Sequence, residues 1–104
     1  MTSHVLKFHI GQIVEHNKFG YRGVIYDADA QFSESESWYE NVAKSRPPKD
    51  SPWYYVLVDG SDSTTYVAER HLQATDNVAE IYHPLLDVYF SAYMPGKYIL
   101  HSQQ

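Results

Sequence analysis

The sequence contains no cysteine. Disulfides and thiolate metal sites are excluded on that ground, and the composition fits a reducing compartment such as the cytoplasm. No apolar run approaches the roughly 20 residues that a membrane-spanning helix needs. The opening residues, Met1-Thr2-Ser3-His4-Val5-Leu6-Lys7, have neither the apolar stretch nor the cleavage site of a signal peptide. A soluble, unprocessed protein with no membrane partner is expected. Positive charge is also scarce: eight Lys and Arg stand against 13 Asp and Glu, for a formal net charge of −5. Neutralisation of phosphates supplies much of the affinity of nucleic-acid binders, so an acidic chain needs a local basic patch to bind DNA or RNA. Residues 1–50 hold six of the eight cations, which places any such patch in the first half.

The signatures of catalysis are missing as well. There is no phosphate-binding glycine loop, no dinucleotide fingerprint and no nucleophile elbow. Ser33, Ser35 and Ser37 lie in an acidic run, which would oppose the anionic oxygen of acyl transfer. The six histidines, at positions 4, 9, 16, 71, 83 and 101, show no helical metal-ligand spacing. Asp27 with Asp29, and Asp59 with Asp62, offer too few oxygens for a calcium loop and read as turn residues. A non-enzymatic protein without metal or cofactor is expected, with His4 and His101 near mobile ends.

What the chain has in abundance is aromatic side chains: 15 % of its residues, including ten Tyr and two Trp. Large rings bury much area each and help a small chain close its core, although they also suit a ring-lined groove for bases or peptides. The 104 residues fit one domain. Residues 7–27 read as two strands joined at Asn17-Lys18-Phe19-Gly20, with Gly23 marking a bulge or a close backbone approach. A short helix follows: Ser33 and Ser37 each precede a Glu by three residues, at capping-box spacing, and Trp38 and Val42 share one face. Pro47-Pro48 ends it. Trp53-Tyr54-Tyr55-Val56-Leu57-Val58 is the strongest strand signal, followed by a turn at residues 59–63 and a partner strand at residues 64–68. One helical turn at residues 69–71 leads to a short strand at residues 72–74. Several short strands with tight turns suggest a small curled barrel. In the last third, Pro84 suits the start of a helix, and Leu85, Leu86, Tyr89, Phe90 and Tyr93 recur at three- and four-residue spacing. Pro95-Gly96 would end that helix, and Tyr98-Ile99-Leu100 would add an edge strand or fold back as a cover.

The basic residues suggest one candidate surface. Lys18 and Arg22 flank the first turn, and Lys44, Arg46 and Lys49 punctuate the exposed loop after the helix. If that loop folds over the first hairpin, five cations share a face and contact phosphates. For a protein partner, the candidates are the loop at residues 46–52 and the stripe Leu86, Phe90 and Tyr93. A dimerising structural module is a third reading.

Three blocks carry a family resemblance. They run from Lys7-Phe8-His9-Ile10-Gly11-Gln12 to Gly20-Tyr21-Arg22-Gly23-Val24-Ile25, from Pro52-Trp53-Tyr54-Tyr55 to Thr65-Tyr66-Val67-Ala68-Glu69, and from His83-Pro84-Leu85-Leu86 to Gly96-Lys97-Tyr98. Together they resemble the YccV-like, hemimethylated DNA-binding family, which includes HspQ-type bacterial heat shock proteins in the stress response. The resemblance implies a mainly β fold: a small SH3-like β-barrel with one short inserted helix and, from the helical reading above, a C-terminal helical lid. The barrel would occupy about residues 7–75 and the cover about residues 78–100 of a single domain. It implies binding of hemimethylated duplex DNA or, alternatively, an adaptor role in protein quality control, delivering substrates to a Lon-type protease. The nucleic-acid-binding candidates are then Lys18, Tyr21, Arg22, Lys44, Arg46 and Lys49, with Tyr21 or Phe19 touching the methyl in the major groove, and the protein-partner candidates Leu86, Phe90 and Tyr93.

Overall fold

The computed structural model describes residues 6–101; His4 lies outside them. Its elements are β1 (Ile13–His16), β2 (Arg22–Asp29), α1 (Glu36–Val42), β3 (Trp53–Val58), β4 (Thr64–Ala68), a 3₁₀ turn (Glu69–His71), β5 (Leu72–Ala74), α2 (Leu86–Tyr89), β6 (Phe90–Met94) and β7 (Lys97–Leu100). The fold is mainly β, with two antiparallel sheets and two short helices. The larger sheet has the order β4-β3-β2-β1-β5, and β6 and β7 form a separate hairpin.

Alternation along the central strands makes two cores, one on each face of the five-stranded sheet. Val14, Ile25, Tyr54, Val56, Val67 and Leu72 point to one face, where Phe8 joins them. Ile13, Val24 and Leu57 point to the other and pack against Ile81, Phe90 and Tyr98 from the C-terminal segment. β3 is buried on both faces, which explains its unbroken apolar run. At its first residue, Trp53 joins a third cluster with Tyr39, Ala43 and Ala68, and that cluster seats α1. Gly23 allows a close approach rather than a bulge: a Cβ there would collide with the Val56 side chain and the Leu57 carbonyl. The register shift in β2 falls two residues later, between Ile25 and Asp27.

Two expectations fail here. The first is the cap of α1. Neither Ser33 nor Ser37 caps it; Ser35 does, its hydroxyl accepting from Trp38 N at 3.1 Å. Ser33 instead donates to Asp29 Oδ2 at 2.6 Å. The second is the C-terminal helix. α2 is a single turn, and the chain is already extended at Phe90. A bulge lies between Phe90 and Ala92. One extra residue in a strand turns a two-residue repeat into a three-residue one, so Phe90 and Tyr93 face the same side, both in the second cluster. That spacing imitates a helix. Pro95-Gly96, read as a helix stop, is the hairpin turn, with Gly96 at φ 88°.

Candidate functional site

β4 is the end strand of its sheet, and a trough of about 510 Å³ runs along it. All five β4 residues line the trough, which has a wall on each side. The first wall comes from the β1–β2 turn and contains His16, Lys18, Phe19 and Tyr21. The second comes from α1 and the loop after it and contains Trp38, Val42, Lys44, Ser45 and Pro47.

His16 builds the first wall. Its Nδ1 accepts from the backbone N–H of Lys18 at 3.1 Å and of Phe19 at 3.0 Å. The turn closes on Gly20, which sits at φ 79° and donates to His16 O. Phe19 stacks on the imidazole at 4.6 Å and still leaves 71 % of its surface in solvent. The His71 ring also lies nearly parallel to that of His16, at 5.6 Å. Burial holds His16 below the ordinary histidine pKa, and His71 and Lys18 beside it add to the effect. His71 is lowered in the same direction by burial, then by Arg70 and Lys18. A neutral His16 is what its acceptor role requires.

The second wall and the floor are aromatic. Tyr66 stacks on Trp53 at 5.1 Å, packs against Tyr55 at 4.6 Å and meets Trp38 edge-on at 5.5 Å. Their hydroxyls converge on Asp29 Oδ2, to which Tyr66 donates at 2.7 Å and Tyr55 at 3.0 Å. Burial works against ionisation of Asp29. Donation from the Ser33, Tyr66 and Tyr55 hydroxyls outweighs it, so the carboxyl sits below its usual pKa. Tyr66 is raised, first by burial and also by its bond to Asp29. These rings are fixed, and the trough surface is largely preformed.

The five basic candidates do not share one face. Lys18 and Lys44 line the trough, and neither has a carboxylate partner among the described residues. Arg22 is tied down elsewhere: it donates to Asp59 Oδ2 at 3.0 Å and to the Asn77 and Ala79 carbonyls, both at 2.9 Å. Its side chain is only 15 % exposed. Arg46 pairs with Glu40 at 3.0 Å, and Lys49 pairs with Glu36 while lying 4.3 Å over the Tyr39 ring. Both are bound to α1 instead of facing the trough. Tyr21 is half-buried, its hydroxyl 2.9 Å from Thr65 Oγ1, which leaves Phe19 as the free ring of that wall. Phe90 is buried in the second core, and Leu86 and Tyr93 lie half-buried against it, so the stripe offers only part of its apolar surface to a partner.

Sequence reasoning missed Tyr55, Tyr66, Trp38 and the His16–His71 stack as site residues. The run of rings at residues 53–55 and the ring at Tyr66 were the available signal, and they read equally well as core. Among the described residues, no group of three or more His, Cys, Asp or Glu is placed to hold a metal ion, and no helix is long and apolar enough to cross a membrane. With the trough and its two free lysines in view, comparison with protein families gives a match over residues 6–97 to the model described as hemimethylated DNA-binding protein YccV like, and the chain belongs to that YccV-like family.

Proposed function

We propose that this protein is a non-enzymatic DNA-binding domain that prefers hemimethylated duplex, with the mouth of the β4 trough as its contact surface. The family match over residues 6–97 carries this reading. The trough adds a physical means: an exposed ring, Phe19, and two lysines, Lys18 and Lys44, that have no carboxylate partner among the described residues. A hemimethylated site differs from its neighbours by one methyl group in the major groove. Reading it takes an apolar contact with that methyl and phosphate anchors that fix register. Phe19 supplies the first, and the lysines supply the second. We also read the five-stranded sheet as an SH3-like barrel drawn together by the Tyr21–Thr65 bond, with residues 78–100 as its cover, in one domain over residues 1–104.

Fluorescence anisotropy with hemimethylated, fully methylated and unmethylated duplexes of one sequence, at two salt concentrations, tests the proposal. The expected outcome is tightest binding to the hemimethylated duplex. The double variant Lys18→Ala/Lys44→Ala should weaken all three and reduce the salt slope by about two. Phe19→Ala should erase the preference and keep the rest. Methylation-blind binding by the unaltered protein would overturn it. The adaptor role for a Lon-type protease is the second reading. What favours a protein partner is less the half-buried C-terminal stripe than the backbone edge of β4.

A further inference from the structure

We propose that the outer edge of β4 accepts an extended, acidic peptide segment of a partner protein as an added strand. The proposal concerns the same trough as the DNA reading but stands on a separate observation, the direction of the β4 backbone groups. Val58 N donates to Ser63 O at 3.1 Å and Glu69 N to Pro52 O at 3.0 Å. The pairs between them, Val56 with Thr65 and Tyr54 with Val67, share that phase of the antiparallel ladder. Ser63, Thr65 and Val67 therefore bond to β3, and the N–H and C=O of Thr64 and Tyr66 point away from it. No strand lies on that side, and among the described residues no other group bonds to them.

Exposed sheet edges are normally blunted by charge, proline, a bulge or shortness. The opposite edge, β5, is three residues long. β4 has five, Thr-Thr-Tyr-Val-Ala, with no charge, no proline and an unbroken register. An added strand there would meet both walls, because its successive side chains point to opposite faces. One face of β4 leads to Tyr66 and Trp38, and the other to Tyr21 through Thr65. The charge of the occupant follows from the lysines, which outnumber the one carboxylate of the lining, Glu34. Lys18 N donates to His16 Nδ1 at 3.1 Å, the His16 ring stacks with His71 at 5.6 Å, and Ser45, next to Lys44, lies 2.8 Å from His71 Nε2. Both cations thus stand at the Ala68 end, one on each wall. Two consecutive acidic residues on an extended peptide would meet one lysine each.

The test uses the full-length protein and a fluorescein-labelled peptide of alternating Val and Thr that ends in two Glu. Binding is followed by anisotropy and by amide chemical shifts. The expected result is binding with shifts at Thr64 and Tyr66, lost when alternate peptide nitrogens are methylated and weakened about tenfold or more when the two Glu become Lys. Thr64→Pro removes an outward N–H without touching a β3 bond, so it should weaken the peptide to a similar degree. Lys18→Glu/Lys44→Glu provides a second variant that places no strain on the strand. Peptide binding that ignores N-methylation would overturn the proposal. So would failure of the peptide to bind while duplex DNA does, which leaves the DNA reading standing, or a dimer in sedimentation that protects the Thr64 and Tyr66 amides. Peptide binding without DNA binding would uphold this proposal and remove the other.

Discussion

Arg22 shows why a residue's neighbours in space decide its role. It lies beside Lys18 in sequence, yet its guanidinium holds Asp59 and the carbonyls of residues 77 and 79. Asp59 in turn accepts from Tyr82 N at 2.8 Å, so one arginine fixes the turn after β3 and the segment leading to Ile81. Arg22→Ala leaves a half-buried carboxylate and two carbonyls short of a donor. It is expected to lower stability by about 2–4 kcal/mol in urea unfolding, with DNA affinity little changed once the protein is folded. His16 makes the second prediction at this scale. Its folded-state pKa lies below the unfolded value near 6.5, so below that pH the unfolded chain binds more protons than the folded one. Stability should be full above pH 6.5 and fall as pH drops from there towards the lowered folded value, where the slope ends. Denaturant unfolding at pH 7.5 and 5.5 should show the loss, and His16→Gln should reduce it; an unchanged slope in that variant would place the titration elsewhere.

Among the elements, the C-terminal hairpin departs most from its sequence. Its apolar residues were legible, but their geometry was not, because a bulge and a helical turn give the same three-residue spacing. The strands at residues 53–58 and 64–68 could be read directly, since β-branched and aromatic runs bounded by Asp-Gly have no competing interpretation. The cap of α1 was ambiguous for a different reason: three serines at alternate positions all offer an oxygen, and only the packing of Tyr39 and Trp53 selects Ser35. Phe90 is 3 % exposed and lies between Tyr98 and the sheet. Phe90→Ala should therefore cost about 3–5 kcal/mol, measured by thermal or denaturant unfolding. A variant of near-normal stability would mean that the hairpin is a detachable cover.

For the molecule as a whole, the net charge of −5 was informative about solubility and misleading about the site. Of the five basic candidates, acid side chains neutralise Arg22, Arg46 and Lys49 locally, and the remaining two, Lys18 and Lys44, line the trough. Which cations would be left over depends on pairs 6 to 37 residues apart, such as Arg46 with Glu40 and Arg22 with Asp59. No reading of linear charge could select them.

Gly11 accepts from Tyr98 N at 2.8 Å, and Gln12 bridges to Lys97, so residues near the start of the chain are zipped to residues near its end. Gly11 is positive in φ, and a Cβ there would collide with the Tyr98 carbonyl, so this seam admits little variation. During synthesis on the ribosome, one face of the five-stranded sheet then stays uncovered until residues 81–98 have left the exit tunnel. Until then the nascent chain exposes Ile13, Val24 and Leu57 to the cell, and native closure is a non-local event that waits for that later segment.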